Sequence, residues 1–145
     1  MFKVHIVCVG KLKEGYWREA FAEYAKRLSR FCALEVAELA ERRTPEEEAE
    51  GILRACRGHT IALAVEGTPV TSERFAARLG ALQSAGEEVT FVIGSSCGLA
   101  ARVKQAAHER LSFSAMTFPH QMMRTLLAEQ LYRAFMINAG SEYHK

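Results

Sequence analysis

Along this chain short, continuously apolar runs take turns with longer runs that are apolar on one side only. Phe2–Val9 is apolar apart from Lys3 and His5 and ends at Gly10, which predicts a buried first strand. Tyr16–Arg30 then repeats Trp17, Ala20, Phe21, Tyr24, Ala25 and Leu28 at helical spacing. Leu34–Leu39 predicts a short second strand. At Thr44-Pro45-Glu46-Glu47 a helix begins: Thr44 can cap, Pro45 suits the first helical position, Glu47 completes a capping box, and the pattern carries to about Arg57. Thr60–Val65 is a fully apolar strand closed by Glu66-Gly67-Thr68-Pro69, after which Thr71 or Ser72 caps a helix reaching Ser84. Val89–Ile93 is again continuously apolar and stops at Gly94. Leu99–Glu109 predicts a helix, Ser112–Phe118 a last strand and His120–Asn138 a last helix ended by Gly140.

Continuously apolar strands, each followed by a helix, imply an α/β fold: a mostly parallel sheet covered by helices on both faces. With 145 residues, no internal repeat and no low-complexity linker, one domain over residues 1–145 is expected. In such sheets ligands bind beyond the carboxyl ends of the strands. Here those ends are Val65-Glu66-Gly67, Gly94-Ser95-Ser96-Cys97-Gly98 and Thr117-Phe118-Pro119-His120, three loops of small or special residues.

Composition narrows the class only a little. Hydrophobic content of 49% and charged content of 25% are ordinary for a globular domain. No stretch is long and apolar enough to span a membrane, and the first residues read as a strand, not a leader, so a cytoplasmic protein is expected. Cys8, Cys32, Cys56 and Cys97 are widely spaced, which suggests buried thiols and neither a zinc site nor a disulfide framework; no metal is expected. The net charge of +2 is far from that of a free-standing RNA-binding module. Basic residues do gather at Lys11, Lys13, Arg18, Lys26, Arg27 and Arg30 and at Arg42-Arg43, which leaves a solvated helix face and nucleic acid both open.

Nucleotide fingerprints are missing. The first strand is followed by Gly10-Lys11-Leu12-Lys13, not by a dinucleotide-binding glycine motif, and no P-loop or nucleophile elbow occurs. Gly94–Gly98 is either a ligand loop or a plain strand-to-helix turn, and Cys97, with no identifiable histidine partner, reads as a packing or loop residue. His120 suits the start of the last helix. Met122, Met123, Leu126, Leu127, Leu131 and Phe135 form an apolar stripe that serves the core or a partner. Arg133 stands four residues after Glu129, at ion-pair spacing. The last residues, Tyr143, His144 and Lys145, form either a solvated tail or a placed set of functional groups.

Taken together, Val9-Gly-Lys-Leu-Lys-Glu-Gly-Tyr-Trp17, Val65-Glu-Gly67, Phe91-Val-Ile-Gly94, Leu111–Arg124, Leu131-Tyr-Arg-Ala-Phe135 and Tyr143-His-Lys145 resemble the RlmH family of small SPOUT-type methyltransferases. These enzymes methylate N3 of a pseudouridine in 23S ribosomal RNA. The resemblance implies a C-terminal trefoil knot, a homodimer and S-adenosylmethionine as cofactor. Carried over by position, the cofactor contacts are Leu63, Gly94, Phe113, Ser114, Ala115, Met116, Thr117 and Phe118. Where many relatives carry Ile-Gly-Gly, this chain has Ile93-Gly94-Ser95, and Cys97 replaces an acidic or amide residue found in several.

The implied reaction gives the tail a chemistry. N3 of pseudouridine carries an imide proton that must leave, and it lies on the pairing edge, so the base must be splayed out. Tyr143 can stack on the base, His144 can accept the proton or orient the base, and Arg133 can steady the imide anion. Lys145 and Arg124 are expected at RNA. The expected substrate is the assembled ribosome. A SPOUT enzyme for another RNA, such as transfer RNA, or a non-catalytic ribosome-binding α/β dimer are the alternatives.

Overall fold

Each strand of this chain is followed by a helix that returns it to the starting edge, so the strands run in one direction. The computed structural model, which describes residues 1–145, contains β1 (Lys3–Val9), α1 (Gly15–Leu28), β2 (Ala33–Leu39), α2 (Pro45–Ala55) and β3 (His59–Pro69), then α3 (Ser72–Ser84), β4 (Val89–Ile93), α4 (Ala101–Ala106), β5 (Glu109–Ser112) and α5 (His120–Asn138). The strands form one sheet in the order β2-β1-β4-β3-β5, and every pair is parallel. The sheet is thus wholly and not merely mostly parallel.

Strand alternation sorts the core into two layers. Val4, Ile6 and Cys8 of β1 and Val89, Phe91 and Ile93 of β4 face α1, α3 and α5, in a cluster with Leu28, Phe75, Leu79, Leu127 and Leu131. Val7, Val9 and Val92 point the other way, onto Ala49 and Ile52 of α2 and Val103 of α4. The one hydroxyl in β4, Thr90, is fully buried, and it is satisfied by accepting from the Arg57 amide at 2.9 Å and donating to the Arg57 carbonyl at 2.5 Å.

Helix starts follow their caps. Thr44 accepts from the Glu47 amide at 3.2 Å, with Pro45 and three glutamates in the first turn of α2. Thr71, rather than Ser72, caps α3 through the Arg74 amide at 3.1 Å.

Four expectations change. β3 runs on to Pro69, so Val65-Glu66-Gly67 lies within an irregular stretch of the strand and is not a loop beyond its end. α4 is only Ala101–Ala106, because Ala100 before it is extended and, with Leu99, buried outside the helix. β5 is Glu109–Ser112, so Phe113–Phe118 is a loop and not the last strand. Of the cysteines, Cys8 and Cys32 are buried, with thiols that desolvation pushes up to about 11, but Cys56 is half-buried and Cys97 is exposed. No helix is long and apolar enough to cross a membrane.

Candidate active site

The stretch of β3 beyond its middle and the loops that leave β4 and β5 at their carboxyl ends enclose a cavity of about 820 Å³. β3 contributes Leu63, Ala64, Val65 and Glu66; the next loop contributes Ile93 to Leu99; the last contributes Phe113, Ser114, and Met116 through Gln121, with Met123 from α5. Of the eight residues carried over as cofactor contacts, seven line this cavity. Ala115 does not; it is exposed in the same loop.

Backbone geometry shapes each wall. The β3–β5 register breaks between Leu63 and Thr68, and the extra residues swing Val65 and Glu66 out to the cavity. Gly67 makes that break possible, since a Cβ there would lie 2.8 Å from the Arg110 carbonyl. At Gly94 a Cβ would lie 2.6 Å from the Gly98 carbonyl carbon and 2.7 Å from its oxygen. Gly94 therefore lets the loop fold back on itself. Ser95 braces the same turn, its carbonyl accepting from the Gly98 amide at 2.9 Å and its hydroxyl from the Cys97 amide at 3.3 Å. In the last loop, Ser112 donates to the Ser114 carbonyl at 3.0 Å, and the Ser114 hydroxyl accepts from the Met116 amide at 2.9 Å.

The lining suits a nucleoside-bearing cofactor. A cavity of this volume lies within the range of small-molecule sites. Leu63, Leu99, Phe113 and Phe118 give apolar walls for an aromatic base, while strand-end backbone and the Ser and Thr hydroxyls can meet polar groups. The one carboxylate in the lining, Glu66, is paired with Lys104 at 2.5 Å, which holds it below the usual carboxylate range. The sequence marks Glu66 within Val65-Glu66-Gly67 but not its pairing with Lys104, thirty-eight positions away.

The tail is placed, not solvated. Glu129 of α5 accepts from Arg133 Nη2 at 2.8 Å and Nε at 3.2 Å, and from the Tyr143 hydroxyl at 2.8 Å. Arg133 lies over the Tyr143 ring at 4.8 Å, and Tyr132 meets that ring edge-on at 4.9 Å. Arg133 Nη1 stands 3.1 Å from His144 Nδ1. A guanidinium only donates, so Nδ1 accepts, and Nε2 carries the hydrogen that it donates to Glu73 of α3 at 2.6 Å. That bond holds the Glu73 carboxyl below its ordinary range. Burial first, and then the bond to Glu129, push the Tyr143 phenol up to about 12. Tyr143, His144 and Arg133 thus form one cluster, yet none of them lines the cavity of their own chain.

The two expected RNA contacts separate. Lys145 is exposed. Arg124 is 2% exposed; its guanidinium is ion-paired with Glu38 of β2 and donates to the Gly10 carbonyl at 3.1 Å. A guanidinium so enclosed cannot meet a phosphate, and its work here is to tie the first turn of α5 to the ends of β1 and β2. Cys97, read as a packing or loop residue, is exposed in the cavity wall. No group of three or more His, Cys, Asp or Glu side chains is arranged to hold a metal ion.

Comparison with known proteins adds a family to this geometry. Proteins named Ribosomal RNA large subunit methyltransferase H are similar to this chain. The one from Streptococcus uberis is 46% identical, covering 99% of both chains, and that from Bifidobacterium animalis subsp. lactis is 49% identical over 98% of this chain and 99% of its own. Among solved structures, a methylase family protein from Neisseria gonorrhoeae overlays 90% of this chain and 82% of its own with a TM-score of 0.57 at 10% identity. One from Haemophilus influenzae covers 96% and 67% with a TM-score of 0.55 at 11% identity; likeness at these identities is one of fold. A family model described as "Predicted SPOUT methyltransferase" matches residues 2–144, and the chain belongs to that family.

Proposed function

We propose that this protein methylates N3 of a pseudouridine in 23S ribosomal RNA, as a homodimer that acts on assembled ribosomes and uses S-adenosylmethionine. The observation that carries this reading is the cavity at the carboxyl edge of the sheet, walled by β3 residues Leu63–Glu66 and the loops after β4 and β5. The names of the relatives from S. uberis and B. animalis, matched over nearly the whole chain, support the choice of RNA. S-Adenosylmethionine supplies an electrophilic methyl group on a sulfonium. Leu63, Gly94 and the Phe113–Phe118 loop are the residues we assign to holding it. The knot implied by the sequence resemblance belongs to the same proposal. It is supported by the crossover from β4 past β3 to β5, and by the return of α5 to Gly10 and Glu38.

The chain's own groups divide the work of preparing the base. Tyr143 keeps its proton at neutral pH, so it stacks on the base or donates to a carbonyl and is not the base catalyst. We assign the N3 proton to the His144 Nδ1 lone pair, freed when Arg133 turns from it to the imide anion. Glu129 and Glu73 position Arg133, Tyr143 and His144. Holding both reactants in register provides much of the rate.

A second copy completes the site in this reading. Cavity and tail cluster do not meet within one chain, and Val65 (50% exposed) and Met116 (73%) flank the cavity with apolar surface that a partner would cover. A net charge of +2 offers little non-specific grip on free RNA, which favours the assembled large subunit. The test combines calorimetry with S-adenosylmethionine, sedimentation, and transfer of a tritiated methyl group to large subunits. Mass spectrometry of rRNA from a gene-deletion strain then locates the base. A monomer, a cofactor that produces no binding heat, or an unchanged rRNA in the deletion strain overturns the proposal.

A further inference from the structure

We infer that a second surface, formed by the loops after β1 and β2, is a track for the substrate RNA that leads to the cofactor cavity. The inference rests on the reading of this protein as an RNA methyltransferase. Its first support is placement. Val9 pairs with Leu39, and the Gly10 amide donates to the Leu39 carbonyl at 2.7 Å, so the segments that follow leave the sheet side by side. Cys8 pairs with Ile93, one residue before the Gly94 loop of the cavity. Arg124 reaches the Gly10 carbonyl from the same first turns of α5 that carry His120 and Met123 into the cavity wall.

Charge is the second support. Between Gly10 and Arg18 and between Ala40 and Arg43 stand five cations, Lys11, Lys13, Arg18, Arg42 and Arg43, against two carboxylates, Glu14 and Glu41. That surplus exceeds the +2 of the whole chain, so the rest of the surface has no excess of positive charge to offer a phosphate backbone. Lys11 and Lys13 are exposed, and no carboxylate forms an ion pair with their ammonium groups or with the Arg42 guanidinium, though the Arg42 amide donates to Glu48 at 3.0 Å. Arg43 is 90% exposed at its side chain and touches Glu47 only at 3.4 Å.

The third support is a stacking platform among those charges. Tyr16 is 63% exposed and is steadied edge-on by Trp17 at 5.1 Å. Arg18 donates to the Leu12 and Lys13 carbonyls at 3.0 and 2.5 Å, which fixes the loop that presents both lysines. An exposed ring set among unpaired lysines is how single-stranded RNA is gripped, ring on base and ammonium on phosphate. Protein interfaces are instead depleted in lysine.

Two variants test this, Tyr16→Ala and the double variant Lys11→Ala/Lys13→Ala, all at exposed positions outside the cofactor cavity. Methyl transfer to large subunits is measured with subunit and salt concentrations varied, beside calorimetry with S-adenosylmethionine and sedimentation. Expected are a KM for large subunits raised about tenfold in each, kcat within about twofold, unchanged cofactor affinity and, for the lysine variant, a salt slope shallower by about one to two. Unchanged KM and salt slope overturn the track. A shift toward monomer also overturns it, since the surface then belongs to a second copy of the chain. Cosedimentation with large subunits in the presence of S-adenosylhomocysteine reads the surface without turnover. Wild type that binds but transfers nothing refutes the proposed function and spares the track if the variants bind less; wild type that does not bind refutes both.

Discussion

At the scale of single residues, what distinguishes this site is how often a small side chain is demanded by the protein's own backbone. Gly94 is the clearest case, since its missing Cβ is where the Gly98 carbonyl lies. Gly94→Ala must move that carbonyl, and with it the turn that Ser95 braces. We expect cofactor affinity at least about tenfold weaker, equivalent to ~1.4 kcal/mol, in a protein that still folds. Calorimetry beside a thermal melt checks this, and undiminished affinity would show that the turn does not shape the cofactor site. Tyr143 shows a residue whose type was informative but whose state was not. An aromatic in the tail can be read from sequence as a base-stacking group. That its hydroxyl is tied to Glu129, and its phenol pushed from the ordinary 10 up to about 12, could not be, because Glu129 is reached only through the packing of α5.

At the scale of elements, the polar ends of the sheet carry their own electrostatics. Glu109 opens β5, accepting from Arg78 of α3 at 2.9 Å and facing His59 of β3 at 2.5 Å. Burial works to raise this carboxyl, but the bonds from Arg78 and His59 outweigh it and hold the group below its ordinary 4.5. A depressed native value means stability that is present above the ordinary value and is lost as the pH falls through the native one. Glu109→Gln should therefore be less stable than wild type by about 1 kcal/mol at pH 7, with the gap closing at pH below 4 to 3. Urea melts at several pH values decide it, and a gap that persists in acid would mean that packing and not charge is lost.

Elements also mark where sequence reading stopped. β1, β4 and α5 were legible because continuous apolar runs and a long helical stripe have one structural solution each. Two walls of the cavity were legible as loops after apolar strands, by the rule that parallel sheets bind ligands at that edge; the third, Val65 and Glu66, is irregular strand and not loop. Phe113–Phe118 was misread as strand because Phe113, Met116 and Phe118 face a cavity, and a cavity wall is as apolar as a core. The start of α4 was misplaced for a related reason: Leu99 and Ala100 are buried, but outside the helix. Arg124 resisted reading altogether, since nothing local says that Glu38, eighty-six positions away, will enclose it.

For the whole molecule, the separation of cavity and tail cluster is the decisive fact. If the site is completed by a second copy, removing Tyr143, His144 and Lys145 should leave dimerisation and cofactor binding intact and abolish methyl transfer. The tail is not free of structural consequence, because Tyr143 packs on the core cluster and bonds to Glu129, so the truncation should also lower stability by about 1–2 kcal/mol. Sedimentation, calorimetry and a tritium assay on large subunits measure the three properties separately. Full activity in the truncated protein would remove the tail from the chemistry.

Arg124 joins the two working surfaces. Within the turn of α5 that precedes it, His120 and Met123 line the cavity; its own guanidinium grips Gly10, the residue before Lys11. Whatever moves that turn moves both places, so occupancy of either should be felt at the other, and by the same factor in both directions. The dissociation constant of large subunits should fall about fivefold when S-adenosylhomocysteine is present, and that of S-adenosylhomocysteine fivefold when large subunits are present. Arg124→Lys replaces the rigid fork, whose two nitrogens hold Glu38 and Gly10 separately, by a single flexible ammonium, and in that variant the factor should shrink toward one while each ligand still binds alone. A factor that survives the substitution would mean that the two surfaces communicate by another route. In a molecule of this size, an arginine with almost no solvent contact would make cofactor and ribosome each tighten the protein's hold on the other.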